Sequence, residues 1–371
     1  MMRAMRTAAG LAITAAIAAG CSNGGPASAP PRTAPPRDDA TTQAPPPAAV
    51  DASPSTAATP DARTAMSTIT HRVKTADDLQ APLYQALADA EKQGATLRVE
   101  LEPGRHGELT LTSLSSPPTV SIEVVGAGGI ATITGPLAID GRAVTVRDVV
   151  VEPGRVTAGV VTIGAAETIT IDGLAVIGAS SRAKDVREGA LHLRALGPAV
   201  TATLARVWLV GNALDGRGRA ALELEGSGNA RFAAVELTGA VFANNQTAYG
   251  VRTWFARQVT MRSIAVLEPA LAQPWLFVRS PDTKLTLEDG VVATKRLVEH
   301  DVDPDEAPLS SFPKVEVRRV TLRGPTAKEH VTATDSTHEP AAKAPASWDA
   351  VLDAARKLEA PDVAALAKLL R

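Results

Sequence analysis

From residue 144 onward the chain repeats one arrangement of apolar and polar positions. It reads VTVRDVVV at 144, ITIDGLAV at 169, ATLARVWL at 202, ARFAAVEL at 230, VTMRSIAV at 259, LTLEDGVV at 285 and VEVRRVTL at 315. Positions one, three, six and eight are apolar in 27 of 28 slots, with Gly290 as the exception. The other four positions carry only three large apolar residues, Val150, Trp208 and Val291. Strand alternation puts positions one and three inside. Positions four and five are then both outside, and six and eight are inside again. A straight strand cannot do this, so the chain must turn a corner within each unit. A further short strand precedes most units, at Val161-Thr162-Ile163, Leu191-His192-Leu193, Leu222-Glu223-Leu224 and Val251-Arg252-Thr253. Three strands per repeat of about 28 residues, stacked about 4.8 Å apart, predict an all-β fold, a right-handed parallel β-helix solenoid.

The pattern changes at both ends. Thr75, Asp77 and Asp78 start a helical segment in which Leu79, Leu83, Leu87 and Ala90 share a face, Pro82 lies early and Gly94 ends the run. This predicts an N-terminal capping helix before the first strand, Leu97 to Leu101. Residues 326–346 read as a polar linker. Residues 347–371 read as a C-terminal helical segment, with Trp348, Val351, Leu352, Ala355 and Leu358 on one face. After Pro361 a second short helix carries Val363, Leu366, Leu369 and Leu370. The expected role of this segment is to cover the last rung of the sheet, which would otherwise offer unpaired edges; docking of a partner protein is the alternative.

The repeat units resemble those of the pectate-lyase-like superfamily of right-handed parallel β-helices. The helix followed by LRVELEPGRHGELTL resembles that group's amino-terminal cap and first coil. The resemblance covers residues 75 to 325, within an expected domain of residues 67–325, and implies a fold rather than an activity, because this fold serves enzymes, adhesins and scaffolds alike. A two-sheet sandwich of short antiparallel strands is the alternative architecture.

The amino terminus carries an address. Arg3 and Arg6 precede an apolar, Ala-rich run from Thr7 to Ala19, which ends in Ala18-Ala19-Gly20-Cys21. The run is too short to span a bilayer and suits a signal peptide over residues 1–20. The site resembles a bacterial lipobox, with Ala18 where Leu is commoner. It makes Cys21, the single cysteine of the chain, the expected lipidation site and membrane anchor. Ser22 after the cysteine implies the outer membrane in a diderm host. Residues 21–66 then read as a Pro/Ala/Thr-rich linker with ten prolines and only Val50 and Met66 as large apolar residues. Such a segment cannot offset its ordering entropy. It would reach about 140 Å fully extended.

Composition narrows the chemistry. With 38 basic and 40 acidic residues the charge is balanced, which argues against a nucleic-acid partner. The calcium-binding acidic cluster and the Asp-His pair of pectate lyases, the paired aspartates of polygalacturonases and the Asp-Phe-Ile-Phe-Gly of pectin esterases are all missing. Asp303-Pro304-Asp305-Glu306 lacks the His of the epimerase pattern. Asp301, Asp303 and Asp305 lack the Gly and closing Glu of a calcium loop. No two of the six histidines have metal-ligand spacing, so neither a metal nor a cofactor is expected.

The candidate ligand-binding surface is the outer face of the first strand of each coil. Thr162, His192, Glu223 and Arg252 should form one outward column, with Arg194, Glu225 and Trp254 in a parallel one. His192 and Arg252 around Glu223 suit an anionic sugar or a proton transfer. Charges paired across an exposed ladder suit a structural role. The loops beside the column carry Arg182, Lys184, Arg187, Asp215, Arg217, Arg219, Asn244 and Asn245. The expectation is a non-catalytic, lipid-anchored envelope protein that contacts a polysaccharide or another envelope protein. A divergent polysaccharide lyase, hydrolase or epimerase is the alternative, and the catalytic residues stay unassigned.

Overall fold

A computed structural model describes residues 67–75, 80–157, 159–181, 188–214, 219–300, 313–324 and 331–370. All of these lie in the second of two compact units, Ala62–Arg371. The signal peptide 1–20, Cys21, the linker 21–66, Asp77, Asp78 and Leu79 at the expected helix start, the segment 301–306, and Arg182, Lys184, Arg187, Asp215 and Arg217 lie outside the described residues.

The chain folds into a long, largely parallel β-sheet that curls round an axis. Three series of short strands run through it. The first series includes Val161–Ile163, Leu191–Ala195, Ala220–Glu225, Tyr249–Thr253 and Leu276–Val278, each paired in parallel with the next. The second and third series are the halves of the repeat unit, before and after its corner. Every pairing between the named strands is parallel, which excludes the antiparallel sandwich. One continuous apolar interior, from Val73 to Leu322, lies behind all three series. Its members are the inward positions of the repeat, among them Val146, Ile171, Leu204, Met261, Leu287 and Val317.

The corner has a single backbone solution. Position five adopts the left-handed conformation in every unit: Asp148 (φ 52°), Gly173 (81°), Arg206 (52°), Ser263 (51°), Asp289 (55°) and Arg319 (51°). Such a residue turns the chain without a loop, and Asp, Ser or Gly tolerate it better than a branched side chain. The remaining corner is Gly239 (φ 63°), which corrects one register. Ala202 pairs with Val235, so the unit of that coil is VELTGAVF at 235 rather than ARFAAVEL at 230. Both stretches carry the same apolar spacing. A tight turn, closed by a bridge between Ser227 and Ala230, absorbs the five extra residues.

Helix α1, Gln80–Gln93, buries Leu83, Leu87 and Ala90 against the first rungs and ends at Gly94 (φ 61°), as the pattern predicts. Pro82 falls in its first turn, where no intrahelical donor is lost.

The carboxy-terminal region departs from expectation in two ways. Val331–Thr334 and Thr337–Glu339 pair with Lys314–Arg323 and extend the sheet by a rung, so the stretch expected as linker is partly strand. Helices α2 (Asp349–Arg356) and α3 (Val363–Ala367) do not sit on this rung. They lie along the outside of the third strand series, over Val150, Ala175, Trp208, Val241, Ala265 and Val291. These are the position-seven residues of successive units. Val150, Trp208 and Val291 are therefore not exceptions to the repeat but part of a second apolar face. Val351, Ala355, Leu358, Leu366 and Leu370 close it from above. Trp208 Nε1 donates to the Glu359 carbonyl at 3.1 Å, and Arg356 reaches Glu152 at 2.7 Å.

Candidate functional site

The first strand series presents its outward side chains as a grid. Register pairs Thr162 with His192, His192 with Glu223 and Glu223 with Arg252. Two residues along each strand, Arg194 pairs with Glu225, while Trp254 follows Thr253 at the end of its strand. Between these columns the inward residues Leu193, Leu224 and Thr253 are buried on the other face. Strand alternation and parallel register thus bring together the six ligand-binding candidates, which are 62 residues apart at the extremes.

The column is not the exposed ladder expected. His192, Glu223 and Arg252 are only 4%, 4% and 8% exposed. They form the floor of a cavity of about 620 Å³, walled by Thr157, Gly159, Glu188, Leu196, Gly226 and Ser227, with Arg194, Glu225 and Trp254 also on its surface. Depth comes from the flanking loops and from the long side chains of the second column. Two of the contacts depend on missing side chains. Gly164 pairs with both Asp140 and Arg194, and a Cβ there would collide with the Asp140 carboxylate. Its absence lets Arg194 cross the rung to reach Asp140 Oδ2 at 3.5 Å. At Gly159 a Cβ would collide with the Glu188 carboxylate at the cavity wall.

Charge is mixed across the floor. Arg252 Nη1 donates to Glu223 Oε1 at 2.9 Å. Oε2 of the same carboxylate is buried without a hydrogen-bond partner. His192 Nε2 stands 2.7 Å from Glu225 Oε2, and Nδ1 is buried without a hydrogen-bond partner. The two carboxylates respond oppositely. Loss of solvent pushes Glu223 up to about 6, against the attraction of His192 and Arg252. The His192 ring holds Glu225 below the usual carboxylate range. The Trp254 ring already carries two guanidinium groups, with Arg252 Cζ 4.1 Å and Arg279 Cζ 4.6 Å from its centroid. Trp254 therefore steadies arginines rather than offering an open stacking platform.

Arg219, Asn244 and Asn245 do not join this cavity. Arg219 is fully buried. Asn245 belongs to a polar stack on another edge of the sheet. Asn212 Nδ2 donates to Asn245 Oδ1 at 2.9 Å, and Asn245 Nδ2 donates to Glu268 Oε1 at 2.6 Å. Asn244, Asn245 and Glu268 line a separate cavity of about 370 Å³ beside Trp348 of the carboxy-terminal segment. Burial pushes Glu268 up to about 7. Sequence reasoning missed this residue. Its one signal is a lone Glu directly after the apolar run IAVL, residues 264–267.

The group formed by His192, Glu223 and Glu225 was equally invisible as a metal-capable set. One ligand atom from each lies within 4.8 Å of the others, although the three span 34 positions of sequence. Spacing rules for metal motifs look within one segment, and here the ligand types come from two rungs. The chain matches no protein-family model, no curated protein and no solved structure.

Proposed function

We propose that this chain is a lipid-anchored bacterial envelope protein whose curled sheet is a right-handed parallel β-helix of the pectate-lyase-like kind. Cys21 is its anchor, and residues 21–66 hold the sheet domain off the membrane. Its function is to bind a glycan through the first-strand face without cleaving it. The observation that carries this reading is the cavity of about 620 Å³ over the His192, Glu223 and Arg252 floor. Its volume lies in the range of small-ligand sites. Arg194, Arg252 and His192 supply donors, while Glu188, Glu223 and Glu225 supply acceptors. Alternating donors and acceptors suit the hydroxyls of a sugar, and the arginines suit a uronate carboxylate. The corners repeated at position five and the parallel register of all three strand series favour the β-helix.

Array binding of the full chain tests the recognition role. The wild type should bind a glycan, and Arg252→Ala should weaken it at least tenfold. A reducing-end assay and an absorbance assay for unsaturated products should stay flat on pectate, polygalacturonate and alginate. Turnover abolished by Arg252→Ala would replace recognition with catalysis, and failure to bind any glycan would leave the floor a structural ladder. The anchor is tested separately: a fatty-acid probe should label the wild type and not Cys21→Ser.

A further inference from the structure

We propose that His192, Glu223 and Glu225 bind one divalent first-row transition-metal ion, of the Zn2+ class. The parallel ladder places His192 directly opposite Glu223, and strand alternation returns Glu225 to the same face. Their ligand atoms lie within 4.8 Å of one another. A tetrahedral ion with bonds of about 2.1 Å needs ligand atoms about 3.4 Å apart, so the widest pair closes by no more than about 1.4 Å, while His192 Nε2 and Glu225 Oε2, now 2.7 Å apart, open by about 0.7 Å. Side-chain torsions on two adjacent rungs can supply that movement without shifting the backbone.

Two observations point to a ligand here rather than to ion pairing alone. Glu223 gives Oε1 to Arg252, yet Oε2 is buried with no hydrogen-bond partner. His192 is almost wholly buried, its Nδ1 has no hydrogen-bond partner, and its Nε2 stands 2.7 Å from the Glu225 carboxylate. Buried polar atoms left in this state cost free energy that a bound cation would remove. Arg252 then acts as the outer partner that orients a ligating carboxylate. The fourth position faces the cavity, which leaves room for water or a sugar oxygen.

Ligand chemistry sets the choice of ion. An imidazole nitrogen beside two carboxylates suits Zn2+, and Mn2+ more weakly, whereas Ca2+ and Mg2+ prefer an all-oxygen shell. The ion would occupy the floor of the cavity to which the glycan reading is assigned, but its test stands apart from that reading, because metal binding is measured with no glycan present.

The test is titration of the metal-stripped full-length chain with ZnCl2 by calorimetry, beside CaCl2 and MgCl2. One tight Zn2+ per chain is expected, with at least tenfold weaker binding in His192→Ala and in Glu225→Gln. Circular dichroism melts of the metal-free variants check that the fold persists. Should His192→Ala fail to fold, anomalous scattering at the zinc edge from wild-type crystals decides, with a peak expected between the three side chains. Zinc binding unchanged by His192→Ala, calcium bound as tightly as zinc, or anomalous density elsewhere on the chain would overturn the proposal.

Discussion

Two faces of the same sheet point outward, and the chain buries both by opposite means. On the third strand series the outward residues are Val150, Ala175, Trp208, Val241, Ala265 and Val291, and two helices cover them. On the first series they are Thr162, His192, Glu223 and Arg252, and no helix covers them among the described residues. The backbone geometry of the two is alike: parallel strands, stacked in register. An apolar face loses free energy until something non-directional covers it, at roughly 25 cal/mol per Å². A charged face can be shielded only by partners of matching geometry. Arg252 on Glu223 and Arg194 on Asp140 supply these, with a cavity left between them. The apolar face is thus an internal docking site already filled. The polar face keeps its unmatched atoms at the bottom of an accessible space.

The largest expected effect breaks the apolar side of this contrast. Trp208 is wholly buried between the sheet and the carboxy-terminal helices. Trp208→Ala should cost about 3–5 kcal/mol in urea unfolding, through lost burial and the cavity left behind. In a chain stopped after Ala346, Trp208 faces solvent, so the same substitution should cost under about 1 kcal/mol. Equal costs in the two backgrounds would show that the helices do not hold this face.

A second prediction concerns the edge between the faces. Glu268 follows Leu267, a member of the apolar face, and its carboxyl is fully buried at the end of the asparagine stack. Its proton is held up to about 7, above the value in an unfolded chain. The native state therefore binds the proton more tightly, and stability falls as pH rises from about 4.5 to about 7, then levels off. Glu268→Gln should abolish this slope and raise stability at pH 8 by on the order of 3 kcal/mol, with little change at pH 4. Thermal melts across that range provide the check, and a variant that kept the wild-type slope would assign it to other groups.

The smallest effect sharpens the common geometry of both faces. Ser263 turns its corner at φ 51°. Ser263→Gly removes the Cβ penalty of that conformation but adds chain entropy to the unfolded state. The net gain should be no more than about 0.5–1 kcal/mol, measured by the denaturation midpoint. A loss of stability beyond about 1 kcal/mol, the usual entropic cost of glycine, would mean that the serine side chain itself supports the corner.

Much of this architecture is legible in the local pattern of the chain. The inward residues, the corner in each unit, α1 with Leu83, Leu87 and Ala90, and the apolar stripe Val351, Ala355, Leu358 and Leu366 all follow local periodicity. So did the six residues of the first-strand grid, because alternation and a parallel ladder predict which side chains share a column. The misplaced unit at 230 marks where local pattern stops being sufficient. ARFAAVEL and VELTGAVF satisfy the same spacing, and only pairing with Ala202 chooses between them.

What the sequence by itself determined is the set of positions that must turn inward, since each is specified by neighbours two to four residues away. What only the tertiary structure decided is how distant rungs meet. Thr157, Glu188 and Ser227, from three different stretches of chain, wall the cavity over His192. Rung stacking brought that ring within ion-pair reach of Glu225, and Asn245 within bonding distance of Glu268. The destination of the carboxy-terminal helices was equally undetermined, because an amphipathic helix specifies that it needs an apolar partner and not which one. The partner appeared only when single residues from successive units, Val150 to Val291, were stacked into one continuous face.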